Sequence, residues 1–146
     1  MSKYKHFELD EFIKSDVATQ RKIDNTPTFE VVEHLEELVE NFLEPLRIAL
    51  GYPIVINSGY RCAKLNRAVG GSDTSAHPLG FAADISCPYM SFSKFRDFVV
   101  NWATKTKPRF DQILLESEKT TGKQWIHVGI YNRSRQQRGQ IKVMNV

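Results

Sequence analysis

No apolar run in this chain approaches the ~18 residues that a membrane-spanning helix needs. The basic N-terminus, Met1 to Glu8, has no apolar stretch behind it either, so neither membrane insertion nor a Sec-type leader is expected. Cysteine is scarce. Cys62 and Cys87 are the only two, too few for a disulfide framework in 146 residues. Both lie near residues of chemical interest, so free thiols are the first reading, with a bridge or a thiolate ligand as the alternatives. Charge of one sign is lacking as well. Lys and Arg total 20 against 17 Asp and Glu, and a net charge of +3 does not mark a nucleic-acid binder. The one basic cluster, Arg133, Arg135, Arg138 and Lys142, reads as a solvated face. Repeats, low-complexity tracts and linkers are absent.

What is present suits one domain spanning residues 1–146. Hydrophobic residues make up 41% and charged residues 25%, values that allow a real core. A short helix is expected around Leu9 to Lys14. The clearest helix follows Thr26-Pro27, read as a cap and a proline in the first turn. Phe29, Val32, Leu35, Val39, Phe42, Leu46 and Leu50 form its apolar stripe. Pro45 should kink it and Gly51 end it. A strand at Ile54 to Asn57 comes next, then a short helix from Ala63 to Val69 that stops at Gly70-Gly71. A second amphipathic helix covers about Ser91 to Lys105. Strands at Gln112 to Glu116 and Trp125 to Tyr131 form a hairpin, and Ile141 to Met144 reads as an edge strand. Helices and antiparallel strands are grouped rather than alternating, which predicts an α+β fold with a small antiparallel sheet flanked by helices.

The segment Ser75-Ala76-His77-Pro78-Leu79-Gly80-Phe81-Ala82-Ala83-Asp84 carries the chemistry. Pro78 disfavours helical backbone at His77. In a strand from Phe81 to Ile85, alternation turns Phe81, Ala83 and Ile85 to the core and Asp84 to a nearly bare opposite face. The same alternation at Trp125-Ile126-His127-Val128-Gly129-Ile130 puts His127 beside Gly129 on the outward face. Two imidazoles and one carboxylate are the usual protein set for a catalytic zinc that keeps an open position, and the lack of thiolates suits catalysis better than structure. Singly, each residue has an ordinary explanation. A His-Pro pair is common in loops, and an aspartate at a strand end often forms a turn.

Ser75-x-His77-x-x-Gly80-x-Ala82-x-Asp84 resembles the signature of the zinc D-Ala-D-Ala carboxypeptidases of the M15 type and of related phage endolysins. Trp125-x-His127 resembles their second half-site, and Ser58-Gly59-Tyr60-Arg61 the stretch that supplies an active-site arginine. The matches keep their order over residues 57–130. The resemblance implies a hedgehog/DD-peptidase-like fold and hydrolysis of peptide bonds in peptidoglycan stems by a single zinc ion. It implies that His77, Asp84 and His127 are ligands, that Arg61 stabilises an oxyanion, and that Ser75 steadies Asp84. Tyr60, Trp125 and Phe81 are candidates to wall the cleft, with ordinary packing as the first reading of each. A monomer acting on peptidoglycan peptides is the corresponding expectation, and the missing leader suggests a phage protein released through holin-made membrane holes.

One position departs from that family. Many relatives carry a carboxylate three residues before the last histidine, where this chain has Gln124, which cannot take a proton at neutral pH. The base must lie elsewhere, or catalysis is lost. If the hairpin turns about Thr120-Thr121, Glu116 falls opposite Trp125, on the face of His127 and diagonal to it, ~7–8 Å away along the backbone. Glu116 is thus the expected base. A one-residue slip would turn it away, leaving Glu118.

Overall fold

The computed structural model describes residues 4–146; Met1 to Lys3 of the basic N-terminus lie outside the described residues. The chain opens with two short helices, α1 (Leu9–Ile13) and α2 (Asp16–Arg21). The long helix follows as α3 (Phe29–Leu38), a π-helical turn (Val39–Leu43) and α4 (Glu44–Leu50). Its cap is Thr28, whose hydroxyl accepts from Val31 N at 3.2 Å, whereas the Thr26 hydroxyl donates to Asp24 in the preceding turn. The later start rotates Phe29 outward, 81% exposed, and the buried stripe begins at Val31. The kink expected at Pro45 is absorbed by the π turn: Glu44 N–H bonds Val39 O, so the wider turn comes just ahead of the residue that has no N–H to give. Gly51 closes α4 in the left-handed conformation, φ 78°.

The strands are β1 (Val55–Ser58), β2 (Ala82–Ser86), β3 (Gln112–Ser117), β4 (Gln124–Gly129) and β5 (Gln140–Asn145). The helices α5 (Ala63–Ala68) and α6 (Phe92–Thr106) lie between them in sequence. The sheet order is β1-β2-β4-β3-β5. The fold is α+β, and the sheet is mixed rather than wholly antiparallel, because β5 pairs parallel to β3. The chain leaves β4 at the end where β3 begins, since Gly129 pairs with Gln112. It loops past that end and runs back antiparallel to β4, hence parallel to β3.

One sheet face is apolar. Ala83, Ile85, Ile113, Ile126 and Val128 are fully buried and join a single core with Leu35, Phe42 and Leu46 of the long helix and Phe95 and Val99 of α6. The other face carries Asp84, Leu114, Glu116, Trp125 and His127 along an open groove. Period-two alternation in each strand thus separates core from groove.

Two polar anchors hold the loops around this sheet. Asn25 donates to Ile13 O (2.9 Å) and Tyr60 O (3.0 Å) and accepts from Cys62 N (2.8 Å), joining the N-terminal helices to the Tyr60–Cys62 segment. Buried Asp111 receives Arg138 Nε and Nη2 at 2.8 Å each and Arg138 N at 3.0 Å, fastening the approach to β5 onto the start of β3. The basic cluster is therefore not simply solvated. Arg135 lies 5.1 Å over the Phe81 and Tyr131 rings, and Arg133 donates to Asp73 O.

Asn25→Ala strands two carbonyls and one N–H, and chemical denaturation should show a loss of about 2–4 kcal/mol. Burial favours the neutral Asp111 carboxyl, but the bonds and charge of Arg138 outweigh it and hold the group below the ordinary carboxylate range. The stabilisation is therefore complete above the unfolded value of ~3.9 and lost as pH falls through the lower folded value. Unfolding midpoints measured across that acid range should fall more steeply for the wild type than for Asp111→Asn.

Candidate metal centre

The groove floor is a cross-strand row. Ser58 pairs with Asp84, Asp84 with His127, His127 with Leu114, and Leu114 with Lys142. The first pairing depends on a bulge: the β1–β2 register shifts between Ile56 and Ser58, so Asn57 is the extra residue and Ser58 comes opposite Asp84. The hairpin register is Glu116 opposite Trp125 and Leu114 opposite His127, as the symmetric turn requires.

His77 reaches the row from outside the sheet. It opens a single 3₁₀ turn, His77–Leu79, with Pro78 second, although a following proline disfavours helical backbone at His77. Gly80 ends that turn at φ 81°, its Cα so close to Val31 O that a Cβ would stand 2.9 Å from it. His77 Nδ1 lies 2.6 Å from Gly59 O. A carbonyl can only accept, so Nδ1 bears the hydrogen and Nε2 carries the lone pair. Gly59 permits this contact because it lacks a side chain; a Cβ there would meet Phe12 O at 2.6 Å.

His77 Nε2 and His127 Nδ1 converge on one carboxylate oxygen, Asp84 Oδ1, at 3.3 Å and 3.0 Å. The three candidate ligand atoms lie within 4.8 Å of one another, and the two rings cross at 64° with centroids 5.1 Å apart. Burial would raise the Asp84 carboxyl, but the facing imidazoles of His77 and His127 hold it far below the usual range. Burial pushes His77 the other way, toward the neutral ring. His77 Nε2 is buried without a hydrogen-bond partner. An imidazole lone pair and a carboxylate oxygen that face each other need a cation between them. Separations near 3 Å fit tetrahedral ligands, each at ~2.0–2.2 Å from a common ion. The residues present therefore fit a divalent metal.

Around this centre the groove, about 610 Å³, is also lined by Arg61, Ser75, Glu116 and Trp125. Glu116 is half-buried; burial first, then the Asp84 charge, raises its carboxyl above the ordinary value. The Trp125 indole N–H lies close enough to favour the Glu116 carboxylate, yet it falls short of hydrogen-bond geometry. Burial lowers the pKa of Arg61 while Asp84 and Glu116 oppose that shift, and the guanidinium stays charged.

Other expected site residues lie elsewhere or act otherwise. The Ser75 hydroxyl accepts from His77 N at 3.1 Å instead of bonding Asp84; the turn before Pro78 brings that N–H nearer. Tyr60 is 8% exposed and belongs to the core, because its N–H is tied to Phe12 O and its carbonyl to Asn25. Phe81 is core too, stacked on His34 at 4.0 Å. That contact, with His34 Nδ1 2.6 Å from Leu79 O, makes His34 part of the packing rather than a surface residue. Gln124 is exposed, outside the groove, and donates to Ser117 Oγ. Cys62 and Cys87 are free thiols, and Cys62 Sγ caps α5 by accepting from Leu65 N. Asn25, Gly59, Asn66 and Asp111 support the site without having been singled out in the sequence. The only hint was the bare Gly59 beside Tyr60-Arg61.

Gly59→Ala should force the Phe12 backbone and the His77 seat apart. We expect a loss of about 1–3 kcal/mol in stability and, in folded protein, a ~10- to ~100-fold weaker zinc affinity by competition with a chromophoric chelator. An unchanged affinity would dissociate Gly59 from the His77 orientation.

No curated protein matches the chain. The sequence model of the family described as Peptidase M15 matches residues 5–128, from ahead of α1 through His127. With both imidazoles, the carboxylate and the groove residues around them inside the matched span, the chain belongs to the Peptidase M15 family.

Proposed function

We propose that this member of a peptidase family is a zinc-dependent hydrolase of amide bonds in the stem peptides of bacterial peptidoglycan, acting as a D-Ala-D-Ala carboxypeptidase or a related endopeptidase. The observation that carries the reading is the meeting of His77 Nε2 and His127 Nδ1 on Asp84 Oδ1, with the His77 lone pair unpartnered, in a groove open enough for a peptide. Zinc held by these three residues would supply a Lewis acid that activates water and polarises the scissile carbonyl.

The protein's own groups do the rest. Glu116 takes a proton from the attacking water and returns it to the leaving amine, a task helped by its raised pKa. Arg61 donates to the carbonyl oxygen as negative charge develops there, worth ~3 kcal/mol for one well-aimed donor. Gly59 O keeps the hydrogen on His77 Nδ1, so Nε2 remains available as a ligand. Trp125 pairs with Glu116 across the hairpin and lines the same groove.

The absence of a carboxylate at Gln124 supports a second reading, a zinc-stabilised wall-binding module without catalysis. Glu116 in the groove favours the active enzyme. Zinc-loaded protein should release D-alanine or new amino groups from purified peptidoglycan. Glu116→Gln should retain one zinc by mass spectrometry and lose ~10²- to ~10⁴-fold in turnover. Zinc binding without product from the wild type would favour the second reading, and undiminished turnover by the variant would exclude Glu116 as the base.

A further inference from the structure

Gly70 and Gly71 are adjacent glycines with different reasons to be glycine. Gly70 adopts φ 75°, with nothing within 4 Å of a Cβ placed on it. Gly71 has no left-handed backbone, but a Cβ there would stand 2.0 Å from Asn66 Oδ1 and 2.6 Å from Asn66 Cγ. The missing side chain makes room for the Asn66 carboxamide.

Asn66 is 5% exposed and has both ends of that carboxamide occupied. Nδ2 donates to Ser72 O at 3.0 Å, and Oδ1 accepts from Arg61 Nε at 3.1 Å. Its backbone is fixed too: Asn66 N bonds Cys62 O, and Gly71 N bonds Asn66 O, both at 2.8 Å. The donation to Ser72 O sets which way the amide faces, since only the NH₂ end can pair with a carbonyl. Oδ1 is thereby aimed at the guanidinium from a rigid seat. Among the described residues the other hydrogen bond of the Arg61 side chain is a long one, 3.5 Å, from Nη1 to Ser58 Oγ. Binding Arg61 through Nε leaves the far edge of the guanidinium for the groove it lines, where it feels the charges of Asp84 and Glu116.

We propose that Asn66, seated against the bare Cα of Gly71, is a positioning residue that aims the Arg61 guanidinium at the substrate carbonyl. The inference rests on the peptidase reading for what Arg61 does, and on the hydrogen bonds alone for what Asn66 does. A ~1 Å error in a transition-state donor costs on the order of 10²-fold, so the effect falls on kcat more than on KM.

Two measurements test it. In ¹H–¹⁵N spectra of the arginine Nε–H region, Arg61 should give a resonance protected from solvent exchange. Asn66→Leu and Gly71→Ala should abolish that protection, and Asn66→Asp, which keeps the acceptor for Arg61 Nε but loses the donor to Ser72 O, should preserve part of it. On a peptidoglycan stem peptide, Asn66→Leu should lower kcat ~10- to ~100-fold with KM and zinc stoichiometry unchanged. It should cost nothing further in an Arg61→Ala background, and Asn66→Asp, which restores only the acceptor for Arg61, should recover part of the loss. An Arg61 Nε–H already in free exchange in the wild type would overturn the proposal, as would additive losses in Asn66→Leu/Arg61→Ala. Wild-type protein that shows the protected resonance but no turnover would count against the peptidase reading and leave the Asn66 clamp standing.

Discussion

A single carboxylate oxygen faced by two imidazole nitrogens is the constraint around which this molecule is arranged. Asp84 Oδ1 lies within 3.3 Å of both, and the nearer surroundings of His77 are almost dry. Burial of such a group is costly without compensating positive charge. His77 cannot provide it by protonation at little cost, because desolvation disfavours its charged form. The three side chains are therefore suited to share a cation.

The surrounding fold works largely by leaving side chains out. Gly59 lets the 58–61 segment lie on the Phe12 backbone while its carbonyl orients His77; Gly71 lets Asn66 approach Arg61. Where the chain must instead be held, one buried polar side chain does it. Asn25 satisfies three backbone groups from two separate segments, and Asp111 gathers the start of β3 and the approach to β5. Asn25 lies outside the groove, whereas Asp111 and Arg138 are part of its lining.

That Glu116 lines the groove and Gln124 does not has a simple geometric basis. Both strands of the β3–β4 hairpin border the centre, and residues that pair across it share a face. A carboxylate at Glu116 can therefore approach the space beside His127 from the neighbouring strand, whereas Gln124 ends up exposed next to Ser117.

Local pattern was enough for much of this. The alternation in Phe81 to Ile85 and Trp125 to Ile130 assigned faces to Asp84 and His127, and the symmetric turn set the register that brings Glu116 across from Trp125, because side-chain direction in a strand has a strict period of two. Spacing within ten residues marked His77 and Asp84 together. The start of the long helix at Thr28, the π turn before Pro45 and the parallel docking of β5 were not legible, since each was decided by a choice between near-equal local options under long-range packing. The roles of Ser75, Tyr60, Asn25 and Asn66 belong to the same class. A hydroxyl or carboxamide has several partners available in sequence, and only the folded chain determines which donor or acceptor stands within 3 Å.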